Sequence, residues 1–372
     1  MKFVCQKSDL QNAINTVSKA VPNRSTLSIL ECILFEADKN TVSLTANDME
    51  LAINTKFDGQ VSENGKVALD AKFISSAISK LPNDEVSIEC DQNLMTVITS
   101  GKAKYEIPGK PADEFSSIPT IEKNESIVIS QMSFRDIIKK TSFSIMDNAD
   151  DTPAQQTMRG EHFEIFGDSI RMSSLDGHRI SICREQLRDV FKDNKMIIPG
   201  KSLKEIGKIL SGGADDNVDI SYDNNHIQFE FDRTIIISRL IDGKFFDVDK
   251  MNIKDYETKI NINKKSLIDC LDRASILVKE GDKKPIVLDI KDGSVNLMIN
   301  SVLGSMDESI DVEKTGKDLM IAFNPKFLLE VMRVIDDENV DMFFVNSKAP
   351  CYIKNSGESY VYVVLPVNFN TV

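Results

Sequence analysis

Two phrases of apolar and polar positions each occur three times along the chain. The first is a short alternating run that leads into an amphipathic one. In Ile127-Val-Ile-Ser-Gln-Met-Ser-Phe-Arg-Asp-Ile-Ile-Lys-Lys-Thr141, Ile127 and Ile129 alternate as strand residues do. Ser133 can accept from the open N–H groups of a first helical turn. Phe134, Ile137 and Ile138 then recur at i, i+3 and i+4, leaving Arg135, Lys139 and Lys140 on the other side. The phrase runs again from Phe3 to Ile14 and from Ile260 to Leu271, and its anchors Leu10, Phe134 and Leu267 stand 124 and 133 residues apart.

The second phrase is strand, short break, Lys, an aromatic residue or Leu, then helix. It occupies Val67–Leu81, Met196–Leu210 and Met320–Met332, with Phe73, Leu203 and Phe327 spaced 130 and 124. Two phrases sharing one period predict three tandem similar domains, 1–123, 124–252 and 253–372, each with two helices among many strands. The period exceeds the roughly 20–50 residues of a solenoid unit, so each copy should carry its own core.

Between the helices lie short β-rich runs: Ile29–Phe35, Thr41–Thr45, Leu51–Phe57, Gly65–Leu69, Val86–Cys90 and Leu94–Thr99, with Lys104–Ile107 a further candidate. Thr234–Ile241 is the clearest buried strand of the middle domain, and Tyr360–Leu365 ends the third. Glu122–Glu125 and Asp249–Asp255 read as boundaries, and Asp147–Gln156 as an added polar loop. The connections are too short for crossover helices, so the fold class is α+β with antiparallel sheets.

Composition adds little until charge is placed. No apolar run approaches the roughly 18–20 residues that span a bilayer, and Met1–Lys7 has no apolar signal core, which makes cytoplasm and no membrane partner the expectation. The six cysteines are scattered singly, which speaks against a zinc site or a disulfide framework and for buried thiols. The net charge of −13 argues against an ordinary nucleic-acid binder. Yet the predicted helices Gln6–Ala20, Asp70–Leu81, Ser133–Thr141, Lys201–Leu210, Lys264–Leu277 and Pro325–Val334 together carry +8, leaving −21 for the rest. That split suggests one basic surface on an acidic protein. The alternative is that Lys is a good helix former covering solvated faces.

Catalytic motifs are missing: no His-Glu-x-x-His, phosphate loop, nucleophile elbow or dinucleotide fingerprint. No metal, cofactor or catalytic residue is expected. Gly212-Gly213 reads as a helix stop. The one dense polar cluster is Ser173-Ser-Leu-Asp-Gly-His-Arg-Ile180. It is either a hairpin with Asp-Gly at its tip or a ligand rim, in which Gly177 admits a close backbone approach and Arg179 offers a forked donor.

Met1-Lys-Phe3, Arg24–Leu30, Asp176-Gly-His-Arg179, Leu240–Phe245 and Tyr362–Pro366 stand in register across the whole chain. On these residues and the threefold repeat, the chain resembles the bacterial sliding clamps, the beta subunits of DNA polymerase III. The resemblance implies a non-enzymatic processivity factor: a head-to-tail homodimer, ring-shaped, with twelve helices lining a hole for double-stranded DNA. Twelve helices at about 9 Å spacing give a circle roughly 34 Å across, and removing one helix diameter of about 10 Å leaves room for a duplex.

Carried over by position, Arg24, Lys72 and Lys201 match DNA-touching sites, with Lys80, Lys139 and Lys204 on the same basic helices. Tyr105 and Ile107 match one side of the dimer contact, and Ile276 and Leu277 the other. A groove for partner peptides between the second and third domains matches Met158, Leu175, Gly177, His178, Arg179 and Ile180. Phe246, Lys250, Met251, Val363, Leu365, Pro366 and Val367 complete it. The implied partners are the polymerase catalytic subunit, the clamp loader and other proteins with a clamp-binding motif. Phe246 stands where Pro is usual, Lys250 where Arg is familiar, and Leu175 replaces a small polar residue. The tail past Pro366 is a candidate cover for the groove. The rivals are an enzyme centred on Asp176, His178 and Arg179, and a monomeric scaffold.

Overall fold

Where the first phrase turns from strand to helix, one backbone hydrogen bond recurs in all three copies. Lys7 N–H donates to the Asp84 carbonyl (2.5 Å), Gln131 to Asp216 (2.7 Å) and Lys264 to Glu338 (2.9 Å). The donors are spaced as the sequence anchors are, and each acceptor immediately precedes a strand. The bond satisfies the first open N–H of the helix. The computed structural model describes residues 1–369 except 83, 117, 120, 122–125, 147–151, 252–254 and 279–283.

The helices are α1 (Lys7–Val17), α2 (Ala71–Ser79), α3 (Gln131–Thr141), α4 (Pro153–Met158), α5 (Gly200–Ile209), α6 (Lys264–Ser275) and α7 (Pro325–Val334). α2, α6 and α7 begin on side-chain caps: Asp70 accepts from Phe73 N–H, Asn263 from Ser266, and Asn324 from Lys326. Ser133 is not the residue before the helix, as the sequence reading has it. α3 starts two residues earlier because Gln131 and Met132 N–H donate to the Asp216 and Gly213 carbonyls, which places Ser133 inside the first turn. α4 corrects the loop reading of 153–156, and the Asp147–Asp151 part lies outside the described residues, as does Glu122–Glu125.

The chain forms two compact units, residues 1–132 with 205–240, and 133–204 with 241–372. The first holds two sheets. One runs Gln60–Glu63 (β5), Lys2–Gln6 (β1), Glu85–Cys90 (β7), Met95–Ser100 (β8), Ala103–Pro108 (β9). The other runs Ser126–Ser130 (β10), Asn217–Tyr222 (β15), His226–Phe231 (β16), Thr234–Arg239 (β17), Leu51–Asp58 (β4), Thr41–Asn47 (β3), Cys32–Asp38 (β2), Gly65–Asp70 (β6). α1 buries Leu10, Ala13, Ile14 and Val17 in this unit, the i, i+3, i+4, i+7 face of its pattern.

The second unit holds one twelve-stranded sheet. Its order is Asn194–Pro199 (β14), Gly160–Phe166 (β11), Ser169–Leu175 (β12), Arg179–Gln186 (β13), Tyr360–Val364 (β25), Cys351–Lys354 (β24), Asn339–Phe344 (β23), Thr258–Asn263 (β18), Gly304–Gly316 (β21), Ser294–Ser301 (β20), Ile286–Lys291 (β19), Leu319–Phe323 (β22). Leu267 and Leu271 of α6 and Leu328 and Met332 of α7 close a core with Ile260, Phe344 and Tyr362. All pairings between the strands are antiparallel, as expected, and each unit joins strands of successive repeats edge to edge: β4 with β17, and β13 with β25.

Two anchors behave differently from their copies. Leu203 is fully buried, whereas Phe73 is 44% exposed and meets Tyr105 edge-on at 6.2 Å. Neither Gly212 nor Gly213 has the positive φ of a helix-stop glycine. Gly212 instead donates to the Gln131 side-chain carbonyl (2.8 Å), and a Cβ there would lie 2.7 Å from that side chain.

Candidate functional site

The polar cluster at 173–180 forms a hairpin turn. Leu175 pairs with Ile180 across β12 and β13. Between them Asp176 Oδ1 accepts from the N–H groups of His178 (2.9 Å) and Arg179 (3.1 Å). Gly177 sits at φ +85, which favours glycine although space for a side chain exists. The buried Arg179 guanidinium lies between the rings of Phe143 and Phe327, 5.3 and 4.5 Å from their centroids. Its Nε donates to Asp176 Oδ2 (2.9 Å), Nη1 to Glu330, and Nη2 to the Phe143 carbonyl (2.5 Å). The fork expected to meet a ligand therefore fastens the hairpin to α7 and to the turn Ser142–Ser144. His178 stays exposed and stacks on Phe327 at 5.9 Å.

Beside this hairpin lies an apolar cluster. Val363 of β25 faces Ile180 directly, and the Leu365 N–H donates to the His178 carbonyl (2.9 Å). Leu175, Ile180 and Val363 form one cluster with the buried Phe245 and Val248 and the half-buried Met158 and Met251. Phe246 (39% exposed), Leu365 (37%), Pro366 and Val367 stand along its edge, while Lys250 reaches into solvent 3.8 Å from Asp247. Phe245 and Val248, buried members of this cluster, were not named as site residues by the sequence reading. Their signal is the pair Phe245-Phe246 just after Gly243, of which one ring turns in and one out. The tail through Val367 stays on the sheet, because the Val367 N–H donates to Ala322 of β22 (2.8 Å).

The stretch Val248–Met251 is pinned from behind. Buried Arg171 forks onto Glu164 (2.6 and 3.0 Å) and onto Asp249 (2.6 and 3.3 Å). Burial opposes ionisation of Glu164, but His162, 3.4 Å away, and the bonds from Arg171 outweigh it and hold the carboxyl down to about 2.

The helix cations divide into two sorts. Lys7 donates to the Leu81 carbonyl (2.6 Å) and Lys264 to that of Ile335 (2.7 Å), so in two repeats the first helix closes the end of the second. Lys140 bridges Asp136 and Asp336, and Arg333 bonds Asp272. Of the expected phosphate contacts, Arg24, Lys72, Lys80, Lys139 and Lys201 are exposed. Lys72 donates to the Asn23 carbonyl (3.2 Å), which ties the Arg24 loop to the start of α2. Lys204 is half-buried and lies within electrostatic reach of the buried Glu161.

Of the positions matched to a dimer contact, Tyr105 lies half exposed on the edge strand β9, and Ile107 is buried in its own sheet. Ile276 is 75% exposed and follows α6. The sequence reading missed its neighbours: Val302 (81% exposed) and Leu303 cap the β20–β21 hairpin, whose Gly304 approaches Leu277. Two aliphatic residues at a hairpin tip were the available signal.

Three two-helix repeats on antiparallel sheets, joined strand to strand, make the fold that of the DNA clamps. Models for the N-terminal, central and C-terminal domains of the DNA polymerase III beta subunit match residues 1–121, 128–247 and 253–368. The beta sliding clamp of Staphylococcus epidermidis is 30% identical over 380 residues, covering 99% of each chain. A crystal structure from Eubacterium rectale, given as a candidate DNA polymerase III beta subunit, is 51% identical with a TM-score of 0.94, covering 99% of this chain and 100% of that one. The DNA polymerase sliding clamp of Bacillus subtilis is 29% identical with a TM-score of 0.94, covering 100% of both. The chain belongs to the family of DNA polymerase III beta subunits, the beta sliding clamps.

Proposed function

We propose that this chain holds replication proteins on DNA without turnover, as a ring of two copies around the duplex, built of domains 1–123, 124–252 and 253–372 and working in the cytoplasm. The observation that carries the reading is the full-length run of three clamp repeats, each with cation-bearing helices. Arg24, Lys72, Lys80, Lys139, Lys201 and Lys204 would meet phosphates, which bind without sequence preference. Such a ring needs a separate ATPase, the clamp loader, to open it.

The seam would join β9 of one copy to β21 of the other. β9 ends its sheet, and β21 pairs with β18 only from Val312 onward, so among the described residues each offers an open edge. Tyr105 and Ile107 accompany the first, and Ile276, Leu277, Val302 and Leu303 the second. A closed circular duplex should retain the loaded protein and a linear one should shed it, with Ile276→Asp abolishing retention on the circle. Equal retention on circle and line would defeat the encircling reading.

The groove of Met158, Leu175, Gly177–Ile180, Phe246, Lys250, Met251, Val363 and Leu365–Val367 would take short apolar peptide segments of the polymerase catalytic subunit and of other clamp-binding proteins. Its methionines suit varied guests. The double variant Leu365→Ala, Pro366→Ala should weaken a polymerase-tail peptide about tenfold in titration while sedimentation still reports a dimer. Unchanged affinity would move the site elsewhere. The enzyme reading of Asp176, His178 and Arg179 is disfavoured, because Asp176 and Arg179 bond each other and the surrounding fold.

A further inference from the structure

We propose that the sheet face carrying Ile180 and Val363 holds a second station, continuous with the peptide groove, that takes an acidic side chain flanking the apolar core of a partner peptide. The proposal rests on the reading of the apolar cluster as a peptide groove.

Ile180, Val363, Tyr352, Phe343 and Lys259 oppose one another in sequence across β13, β25, β24, β23 and β18. Directly opposed residues of antiparallel strands share a face. The row thus starts at two groove positions and ends on a lysine. At about 4.8 Å per strand, Phe343 lies roughly 10 Å and Lys259 roughly 14 Å from Val363. A partner chain covers that distance in about three to five extended residues. Lys354 belongs to the same face, since it opposes Val361 two residues before Val363.

At the end of the row is a recess of about 300 Å³. Phe343 is its floor, and Tyr256, 49% exposed, is an edge-on wall 5.0 Å away. The ammonium groups of Lys259 and Lys354 lie 5.3 and 5.7 Å from the Phe343 centroid, held there by the ring quadrupole. Lys259 pairs with Asp341 (2.8 Å) and Lys354 with Glu358 (2.5 Å). An ammonium has three donors, so each keeps capacity for an incoming carboxylate. A cation would fare worse. It would meet two fixed ammonium groups, and Asp341 already accepts from both Asn261 and Lys259. With two lysines and two carboxylates in its lining, the shelf offers an anion spare ammonium donors rather than net positive charge.

The test uses the full-length protein and peptides with one apolar pentapeptide core, extended at either end by three Glu or three Gln. At low salt the Glu extension at one end should bind about fivefold tighter than its Gln counterpart. The advantage should vanish in the double variant Lys259→Met, Lys354→Met, and shrink in Lys354→Met alone, while the Gln peptide keeps its affinity. A Glu advantage absent at both ends, or undiminished in the variants, overturns the shelf alone. Failure of every peptide to bind removes the groove and the shelf with it.

Discussion

Arg179→Met is expected to cost about 3 kcal/mol of unfolding free energy and to abolish peptide binding at the groove. Removing one member of a buried ion pair leaves the others desolvated without compensation. Here the loss strands Asp176 and Glu330 together with the Phe143 carbonyl, and deletes the cation between two rings. Methionine fills much of the volume, so the deficit reports the charge and its bonds rather than a cavity. The groove suffers too, because the His178 carbonyl that anchors Leu365 belongs to the same hairpin. Arg179→Lys keeps the charge but not the fork and should fall between. Urea unfolding of parent and variant is the measurement. A difference under about 1 kcal/mol would mean that the bonds made by Arg179 contribute little.

Glu161→Gln should act in the opposite sense, and only at higher pH. The Glu161 side chain is fully buried at the head of β11, takes a bond from the Thr141 hydroxyl (2.6 Å), and leaves Oε1 without a partner. Burial pushes its carboxyl up to about 8, against an ordinary value of 4.5, although Thr141 and Lys204 pull the other way. With the folded pKa above the unfolded one, folding takes up a proton between those values. The contribution to stability is therefore greatest below pH 4.5 and declines as pH rises toward 8. Glutamine mimics the protonated form at every pH. The variant should match the parent near pH 4 and exceed it at pH 8.5, by up to about 5 kcal/mol for a rise from 4.5 to about 8 at 1.36 kcal/mol per unit. Parallel stability–pH curves for the two proteins would show that Glu161 does not titrate in this way.

The repeats were legible because each helix buries a face spelled out locally. Phe134, Ile137 and Ile138 went inside as their spacing requires. Polar elements were not legible. α4 and β5 (Gln60–Glu63) lack apolar periodicity and owe their conformation to what surrounds them. The start of α3 was misplaced because its donors are met by carbonyls some eighty residues further on, which no local cap signal reports. The same holds at the groove. Its exposed members carry a family resemblance, but its buried part depends on the register that sets Val363 against Ile180. Arg179 was read as a ligand donor because the sequence does not reveal that Glu330 and Phe143 reach it first.

Successive repeats are stitched by main-chain ladders, five residue pairs at β4–β17 and five at β13–β25. To tear either joint, a load must shear several main-chain hydrogen bonds together. Successive repeats of one chain therefore part as whole ladders or stay together, and what one repeat feels along its edge strand the next one feels as well.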